Sequence, residues 1–236
     1  MMELSIRLKA VADMVTPGSR LADIGTDHAY IPIYLAKNEV IPSAIAMDIN
    51  KGPLKRAEKN IEENGLEQCI KTRLSDGLFA LELNEADTMI AAGMGGALVI
   101  KILSDKPEVT DGFQELILQP QSEIWKVREF LSGQGYEIVD EKMVIDDGKY
   151  YTVMKAKKGQ SAYNQAELEF GPVLLKNKDA VLLEYLEREK NITSHILDSI
   201  KNQTSEKTRK RYEELTGTME FLDQVIHDYF KGCDRS

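Results

Sequence analysis

The sequence predicts an α/β protein in which a parallel sheet covered by helices is followed by a separate helical domain. Three observations support this prediction. Short runs rich in β-forming residues alternate with helical segments up to about residue 158. A heptad pattern of apolar residues begins after about residue 165. Between the two lies a predicted hairpin around "DDGK". We therefore predict one domain over residues 1–160 and a second over residues 161–236.

Five apolar runs are predicted to form the parallel strands, with four helical segments between them. The predicted strands are 20–24, 43–48, 70–76, 87–93 and 115–120. The predicted helices are 28–37, 53–64, 96–104 and 123–133. Two further strands are predicted on either side of the turn Asp146 to Lys149. The predicted sheet therefore has five parallel strands and ends in a hairpin.

The second domain is predicted to be an antiparallel helical hairpin with a coiled-coil seam. Apolar residues of its second helix are spaced alternately three and four apart, as in a heptad repeat: Tyr212, Leu215, Met219, Leu222, Ile226 and Tyr229. The first helix follows a looser version of this spacing: Leu175, Leu182, Tyr185, Ile192 and Ile196. Thr204 or Ser205 is the predicted N-cap of the second helix.

Composition limits the classes of function that remain. No apolar run approaches the roughly 20 residues that span a bilayer, so no membrane partner is expected. Cys69 and Cys233 are isolated, which favours neither a disulfide framework nor a zinc site. We expect a cytoplasmic protein without a metal. The net charge of −9 argues against nucleic acid as an average over the chain, but "KTRKRY" forms a local basic cluster.

Acids and glycines mark the ends of the predicted strands, where a doubly wound sheet binds its ligands. Asp23 and Gly25 belong to the first loop, whereas Asp48, Asp76 and Gly93 end the second, third and fourth strands. An acid at the end of the second strand suits ribose hydroxyls, and one at the end of the third could meet an adenine amino group. The alternative is that these acids only cap helices and loops.

The first loop also indicates the class of cofactor. Asp23 and Asp27 bracket the turn at Gly25 and would repel the pyrophosphate of a dinucleotide. S-adenosylmethionine has no phosphate and carries a sulfonium and an ammonium group. We therefore predict S-adenosylmethionine as the cofactor, and a dinucleotide-dependent oxidoreductase is disfavoured.

These loops resemble those of the bacterial tRNA (adenine-22-N1)-methyltransferases. The resemblance covers essentially the whole chain and rests on "LSIRLKAVADMV", "LADIGTDHAYIPIYLA", "AMDINKGPLKRAEKNI", "LSDGL", "AAGMGG" and "LILQPQ". It implies a Rossmann-like class I methyltransferase sheet with a helical C-terminal domain, and methyl transfer to N1 of an adenine in tRNA. The family's cofactor site then falls on Asp23, Gly25, Thr26, Asp27, His28, Asp48, Ile49, Ser75, Asp76, Gly77, Gly93 and Met94.

The resemblance implies less about the catalytic residues. Many amino-group methyltransferases carry Asn/Asp-Pro-Pro-Tyr after the fourth strand, where this chain has "GMGG". Adenine N1 has an in-plane lone pair, so we expect catalysis mainly by proximity and alignment. The Gly93 carbonyl could accept a hydrogen bond from the exocyclic amine, and Tyr30 could stack on the base. Gln119 lies at the adjacent strand end, as does Gln121, and Asp27 could favour the cationic product.

Contacts with tRNA phosphates are expected at two places, Arg7 and the basic cluster Lys207, Arg209, Lys210 and Arg211. Arg7 could instead bind the cofactor carboxylate or a local acid, and the cluster could be a solvated helix face. Tyr30 and His28 could likewise serve only packing and the helix start. Two rival functions remain, namely methylation of another base or a small molecule, and a binding module that uses the hairpin. We expect a monomer or a weak dimer.

Overall fold

Seven strands form one sheet in this computed structural model, which describes residues 3–202 and 205–231; Thr204 and Cys233 lie outside them. The strands are β1 (Leu21–Ile24), β2 (Ala44–Asp48), β3 (Ile70–Leu74), β4 (Thr88–Met94), β5 (Glu115–Pro120), β6 (Tyr136–Asp146) and β7 (Lys149–Lys158). Their order is β3-β2-β1-β4-β5-β7-β6, with β1 to β5 parallel and β7 antiparallel to β5 and β6. The prediction of five parallel strands ending in a hairpin is confirmed.

Helices connect these strands and continue beyond the sheet. Those of the strand-containing part are α1 (Ile6–Ala12), α2 (Tyr30–Lys37), α3 (Lys51–Glu63), α4 (Gly96–Asp105), α5 (Pro107–Thr110), α6 (Ile124–Gly133) and α7 (Gln165–Phe170). They are followed by α8 (Pro172–Lys176), α9 (Ala180–Ile200), α10 (Glu206–Val225) and a π-helical segment (Ile226–Lys231). No helix of the described ranges is long and apolar enough to cross a membrane.

Burial explains why these residues form a covered sheet. Every residue of β1 and β5 is buried, as expected for central strands with helices packed on the sheet. In α3 the buried residues Leu54, Ala57 and Ile61 recur at intervals of three and four and form the stripe that faces the sheet. The strand order reverses between β1 and β4, so a crevice is expected at the carboxyl ends of these two strands.

Two helix boundaries differ from the prediction for a backbone reason. The first predicted helix was expected to begin at residue 28, but α2 begins at Tyr30 because His28 and Ala29 have positive φ angles of 68° and 55°. Glu123, the predicted start of another helix, has a φ of 50°, and α6 begins one residue later. Left-handed conformations are costly for residues with a Cβ, so sequence patterns rarely predict them.

The chain divides into two compact units, Met1–Glu169 and Phe170–Ser236. Sequence patterning predicted the boundary earlier, between residues 160 and 161. The side chain of Arg128 accounts for the extra length of the first unit. Its guanidinium pairs with Glu141 at 3.0 Å in the interior and donates hydrogen bonds to the carbonyls of Leu168 and Glu169.

In the second unit, α9 and α10 pack against each other, and Lys190 forms an ion pair with Asp223. Ser205 caps α10 by accepting a hydrogen bond from the Thr208 amide, which confirms one of the two predicted N-caps.

The predicted apolar seam is buried only in part. Leu182, Leu215, Leu222 and Ile226 are buried. Tyr212, Ile192 and Ile196 remain 37–39% exposed, so burial does not confirm their predicted place in the seam. The first turns of α10 carry polar residues on most sides and offer little apolar surface. A coiled-coil seam over the whole hairpin is therefore not confirmed and stays a prediction.

Candidate functional site

A cavity of about 310 Å³ lies where the strand order reverses, at the carboxyl ends of β1 and β4. Ligand sites of small molecules have volumes of this order. Its walls come from α1, the loop and helix that follow β1, the end of β4 and the segment after β5. The lining residues are Arg7, Leu8, Asp23, Gly25, Thr26, Asp27, His28, Tyr30, Ile31, Ala92, Gly93 and Gln121.

The floor of the cavity is the turn that follows β1. The amides of Gly25 and Thr26 both donate to the carbonyl of Met47 at 2.8 Å, which fixes the turn against β2. Gly25 has a φ of 74°, and a Cβ there would lie 2.8 Å from the methyl group of Met94. Glycine is therefore favoured mainly by the positive φ angle, since the flexible end of Met94 could move away from a Cβ.

Asp23 is a buried carboxyl at this floor. Burial raises the pKa of Asp23 to about 6, while the nearby Thr26 hydroxyl lowers it and the charge of Asp48 raises it further. The Thr26 hydroxyl oxygen is itself buried and has no hydrogen-bond partner of ordinary geometry among the described residues. The Asp23 carboxyl and the Thr26 hydroxyl thus offer hydrogen-bonding capacity to a polar ligand in the cavity.

The rim beyond the turn carries two parallel aromatic rings. His28 and Tyr30 stack with their centroids 4.9 Å apart and their planes 4° from parallel. The left-handed backbone at His28 and Ala29 makes this stack possible, and Asn60 of α3 secures it by donating to the His28 carbonyl at 2.9 Å. Strained backbone of this kind is typical of functional sites.

Asp27 lies on the same rim, and its carboxylate is paired with a guanidinium rather than free. Its Oδ1 accepts hydrogen bonds from the Arg56 guanidinium, with Nη2 at 2.6 Å and Nε at 3.1 Å. The His28 Nε2 atom lies 3.6 Å from the same oxygen. Asp27 is 61% exposed, so solvent also screens its charge.

The opposite wall is formed by a bulge at the end of β4. The register between β4 and β5 shifts between Ala92 and Met94, and Gly93 adopts a φ of 80°. The side chain of Gln119 supports this bulge, because its Oε1 accepts from the Gly93 amide at 3.1 Å and from Arg7 Nη1 at 2.9 Å. Gln119 is completely buried and does not line the cavity. The expectation that it contacts a base therefore does not fit its position.

Arg7 is held in the wall by contacts on three sides. Besides its bond to Gln119, its backbone amide donates to Asp146 Oδ2 at 3.0 Å. Its guanidinium carbon lies 5.5 Å from the centroid of the Tyr151 ring. The Gln119 Nε2 atom, by contrast, is buried without a partner among the described residues. The wall therefore contains a cation held in place by its neighbours and one buried donor without a partner among the described residues.

The other predicted cofactor residues lie at the neighbouring strand ends without lining the cavity. Asp48 Oδ1 accepts from the Asn50 amide at 2.6 Å, and Ile49 is 58% exposed. The Ser75 hydroxyl donates to the Gly77 carbonyl at 2.8 Å, and Asp76 between them is exposed. These residues lie at or after the carboxyl ends of β2, which is next to β1, and β3, which is next to β2.

Sequence patterns missed Arg56 and Asn60, which hold the cavity rim. Both lie four residues apart on α3, whose amino end begins at the carboxyl edge of β2. That spacing places them on one helix face, which is the signal that could have identified them.

The basic cluster of the second unit lies on α10, where Lys207, Arg209, Lys210 and Arg211 are exposed or half-exposed. Arg209 pairs with Glu213 at 3.7 Å and Arg211 with Glu214 at 3.3 Å. Neither lysine side chain has an ion-pair partner among the described residues. Within the same described ranges, no group of three His, Cys, Asp or Glu residues could hold a metal ion.

Comparisons with known proteins identify relatives over nearly the whole chain. The sequence model of the TrmK family, described as tRNA (adenine(22)-N(1))-methyltransferase, matches residues 21–224. The tRNA (adenine(22)-N(1))-methyltransferase of Bacillus subtilis is 38% identical over 232 residues, which are 95% of this chain and 98% of that protein.

Solved structures give the same result. A Streptococcus pneumoniae structure in complex with S-adenosyl-L-methionine matches with a TM-score of 0.86 and 32% identity, over 95% of this chain and all of that chain. The structure of M. capricolum TrmK in complex with S-adenosyl-homocysteine matches with a TM-score of 0.83 and 31% identity, over 97% of this chain and all of that chain.

Proposed function

This chain belongs to the tRNA (adenine(22)-N(1))-methyltransferase family, and from that premise we propose how its residues carry out the reaction. The enzyme transfers a methyl group from S-adenosylmethionine to N1 of adenine 22 in tRNA. The observation that carries the residue assignment is the acid-lined cavity at the strand reversal, bordered by the stacked rings of His28 and Tyr30.

The residues of the cavity fit S-adenosylmethionine, which supplies a methyl group on a cationic sulfur. The buried Asp23 carboxylate can accept hydrogen bonds from a polar, cationic ligand, and the Thr26 hydroxyl can donate or accept one. Asp48, at the end of β2, is the proposed acceptor for the ribose hydroxyls. The remaining proposed cofactor contacts are Gly25, Asp27, His28, Ile49, Ser75, Asp76, Gly77, Gly93 and Met94.

The stacked rings and the bulge are the proposed site for the target base. Tyr30 offers an exposed ring face on which an extruded adenine can stack. The bulge takes Gly93 out of the strand register, so its carbonyl is a candidate acceptor for the exocyclic amine. Because neutral N1 needs no deprotonation before it attacks, these residues contribute by holding the base in position.

Asp27 is the proposed carboxylate that stabilises the positive charge of the methylated base. Its pairing with Arg56 reduces this effect unless the guanidinium moves. Replacing Asp27 with Asn should lower kcat by about tenfold at saturating cofactor, because a nearby anion is lost. Steady-state methylation of tRNA at saturating cofactor measures this. An unchanged turnover number would remove Asp27 from the catalytic residues.

Gln119 is proposed as a positioning residue that acts through Arg7 and Gly93. Its carbonyl oxygen satisfies both donors at once, so replacement by Leu would leave the Gly93 amide without its partner. The bulge would then lose its support, and Arg7 would be free to leave the wall. Arg7 is the proposed contact for the cofactor carboxylate or for an RNA phosphate.

The helical unit is proposed to bind the tRNA backbone through Lys207, Arg209, Lys210 and Arg211. The exposed ion pairs of the two arginines are weak, so each guanidinium can leave its glutamate for a phosphate, and neither lysine has an ion-pair partner within residues 3–202 and 205–231. We further propose that α9 and α10 act as a coiled-coil-like hairpin in a monomer or weak dimer. Since tRNA is the substrate, the protein is proposed to act in the cytoplasm.

The function is tested by incubating the protein with labelled S-adenosylmethionine and an unmodified tRNA transcript, followed by nucleoside analysis. The expected product is 1-methyladenosine, which disappears when adenine 22 is replaced by guanine. Transfer to another base or to small metabolites, but not to adenine 22, would favour the first rival function. Binding of tRNA without any transfer would favour a binding module.

A further inference from the structure

Helix α3 has basic residues near its amino end and acidic residues near its carboxyl end, which is the reverse of the arrangement that stabilises a helix. Lys51, Lys55 and Arg56 lie in its first half, whereas Glu62 and Glu63 lie in its last turn. The amino end of a helix is the positive end of its dipole, so cations there and acids at the other end both weaken it. The first turn contains no acidic residue that would offset these cations. A charge pattern that costs stability indicates a use outside the helix.

One face of α3 is attached to the cavity rim. Arg56 donates to Asp27 with its Nη2 at 2.6 Å, and Asn60 donates to the His28 carbonyl at 2.9 Å. Both contacted residues line the cavity, and His28 carries the stacked ring of Tyr30. The position of α3 is therefore coupled to the position of the aromatic stack.

The adjoining face of α3 is an exposed row of lysines at intervals of four residues. Lys51 and Lys55 are exposed, and neither side chain makes an ion pair or hydrogen bond with another described residue. Lys59, one turn further along, lies 3.6 Å from Glu63 and is partly neutralised. The unpaired charge is thus concentrated at the end of α3 nearest the cavity.

We propose that Lys51 and Lys55 bind backbone phosphates of the tRNA segment next to the target adenine. This inference rests on the proposed function, because it assumes that tRNA is the substrate. Charge complementarity favours a polyanion, and phosphate contacts position an RNA without reading its sequence. The same helix then joins a phosphate contact on one face to the base-stacking rings held by Arg56 and Asn60 on the other.

The test compares the double variant K51Q/K55Q with the control K37Q/K71Q. Lys37 ends α2 and Lys71 lies near the start of β3, so both are exposed at the opposite edge of the sheet. Each double variant removes two positive charges from the first unit. Measured quantities are the Kd and KM for tRNA, kcat, the Kd for S-adenosylmethionine and the dependence of tRNA binding on salt.

For K51Q/K55Q we expect the KM and Kd for tRNA to rise about tenfold, because two phosphate contacts are lost. The slope of log K against log salt should become less steep by about 1.5. Cofactor affinity and kcat should stay at wild-type values, and K37Q/K71Q should behave as wild type throughout. K51R/K55R should retain tRNA binding, since arginine also contacts phosphate.

Equal tRNA affinity and equal salt slopes for K51Q/K55Q and the control would overturn the inference. A loss of cofactor binding in K51Q/K55Q would also overturn it, because the lysines would then act through the cavity rather than on RNA. Failure of the proposed function is a separate result: the wild-type protein itself would form no 1-methyladenosine in the same assay.

Discussion

At the scale of single residues, the site contains polar groups that the protein alone does not satisfy. Asp23 is buried with its pKa raised to about 6, mainly because burial disfavours the charged form. The Thr26 hydroxyl and the Gln119 amide nitrogen are buried without partners among the described residues. Each costs folding free energy, and for Asp23 and Thr26, which line the cavity, a polar ligand can offset that cost when it binds.

Replacing Asp23 with Asn should increase the stability of the protein and weaken its binding of the cofactor. The folded-state pKa lies above that of the unfolded chain, so wild-type protein loses stability as pH rises from about 4 to about 6. At neutral pH without cofactor, the Asn variant should therefore be more stable by about 3 kcal/mol. Denaturant unfolding measures this difference, which should vanish below about pH 4.

The same variant should change the pH dependence of cofactor binding. Wild-type affinity for S-adenosylmethionine should fall as pH drops through about 6, because Asp23 becomes neutral. The variant should bind more weakly at neutral pH and show a flatter profile over this range. Titration calorimetry across the range measures both. A wild-type affinity that is constant through pH 6 would contradict the proposed contact.

At the scale of elements, the glycine-rich segment after β4 serves packing as well as ligand binding. A Cβ on Gly96, the first residue of α4, would lie 2.5 Å from the Ser122 carbonyl and 3.0 Å from that of Glu123. The Gly96 amide donates to the same Ser122 carbonyl at 3.0 Å, and Gln121 donates to Met94 at 2.9 Å. The two loops at the cavity wall are therefore joined through their backbones.

Replacing Gly96 with Ala should destabilise the protein by about 2–4 kcal/mol, because the clash is with backbone atoms that cannot move independently. Gly133, at the end of α6, provides the control, since no atom lies within 4 Å of its added Cβ. Ala there should be neutral or stabilising by up to about 1 kcal/mol. Thermal and denaturant unfolding measure both, and equal stability of the two variants would contradict this account.

At the scale of the whole molecule, the net charge of −9 conceals two basic surfaces, one in each compact unit. α3 presents Lys51 and Lys55, and α10 presents Lys207 and Lys210, all without an ion-pair partner among the described residues. Association with a polyanion depends on such local surfaces more than on the average charge.

Replacing Lys207 and Lys210 with Gln should weaken tRNA binding about tenfold and lower its salt slope by about 1.5, with cofactor affinity unchanged. Combined with K51Q/K55Q, the losses should add on a logarithmic scale if the two surfaces bind separate phosphates. Filter binding at several salt concentrations measures these slopes. A combined loss no larger than that of either pair would indicate that only one surface contacts RNA.

Much of the fold follows from local patterns in the sequence. Alternating strand and helix signals predicted the five parallel strands, and the Asp147–Gly148 turn of the hairpin has the positive φ angles of 49° and 71° that such turns require. The heptad pattern predicted a seam in the second unit that burial supports only in part, because spacing alone does not show how deeply Tyr212 or Ile196 is buried.

The cofactor class and the candidate loop residues were also accessible from sequence, since strand ends converge on one sheet edge and Asp23 with Asp27 disfavours a phosphate. Only the tertiary structure revealed that Arg56 neutralises Asp27, that Gln119 lies behind the wall, and that His28 stacks on Tyr30. These features depend on side chains from segments far apart in the chain and on left-handed backbone at His28. Local sequence specifies strands, helices and turns, whereas contacts between them exist only once the sheet has brought their ends together.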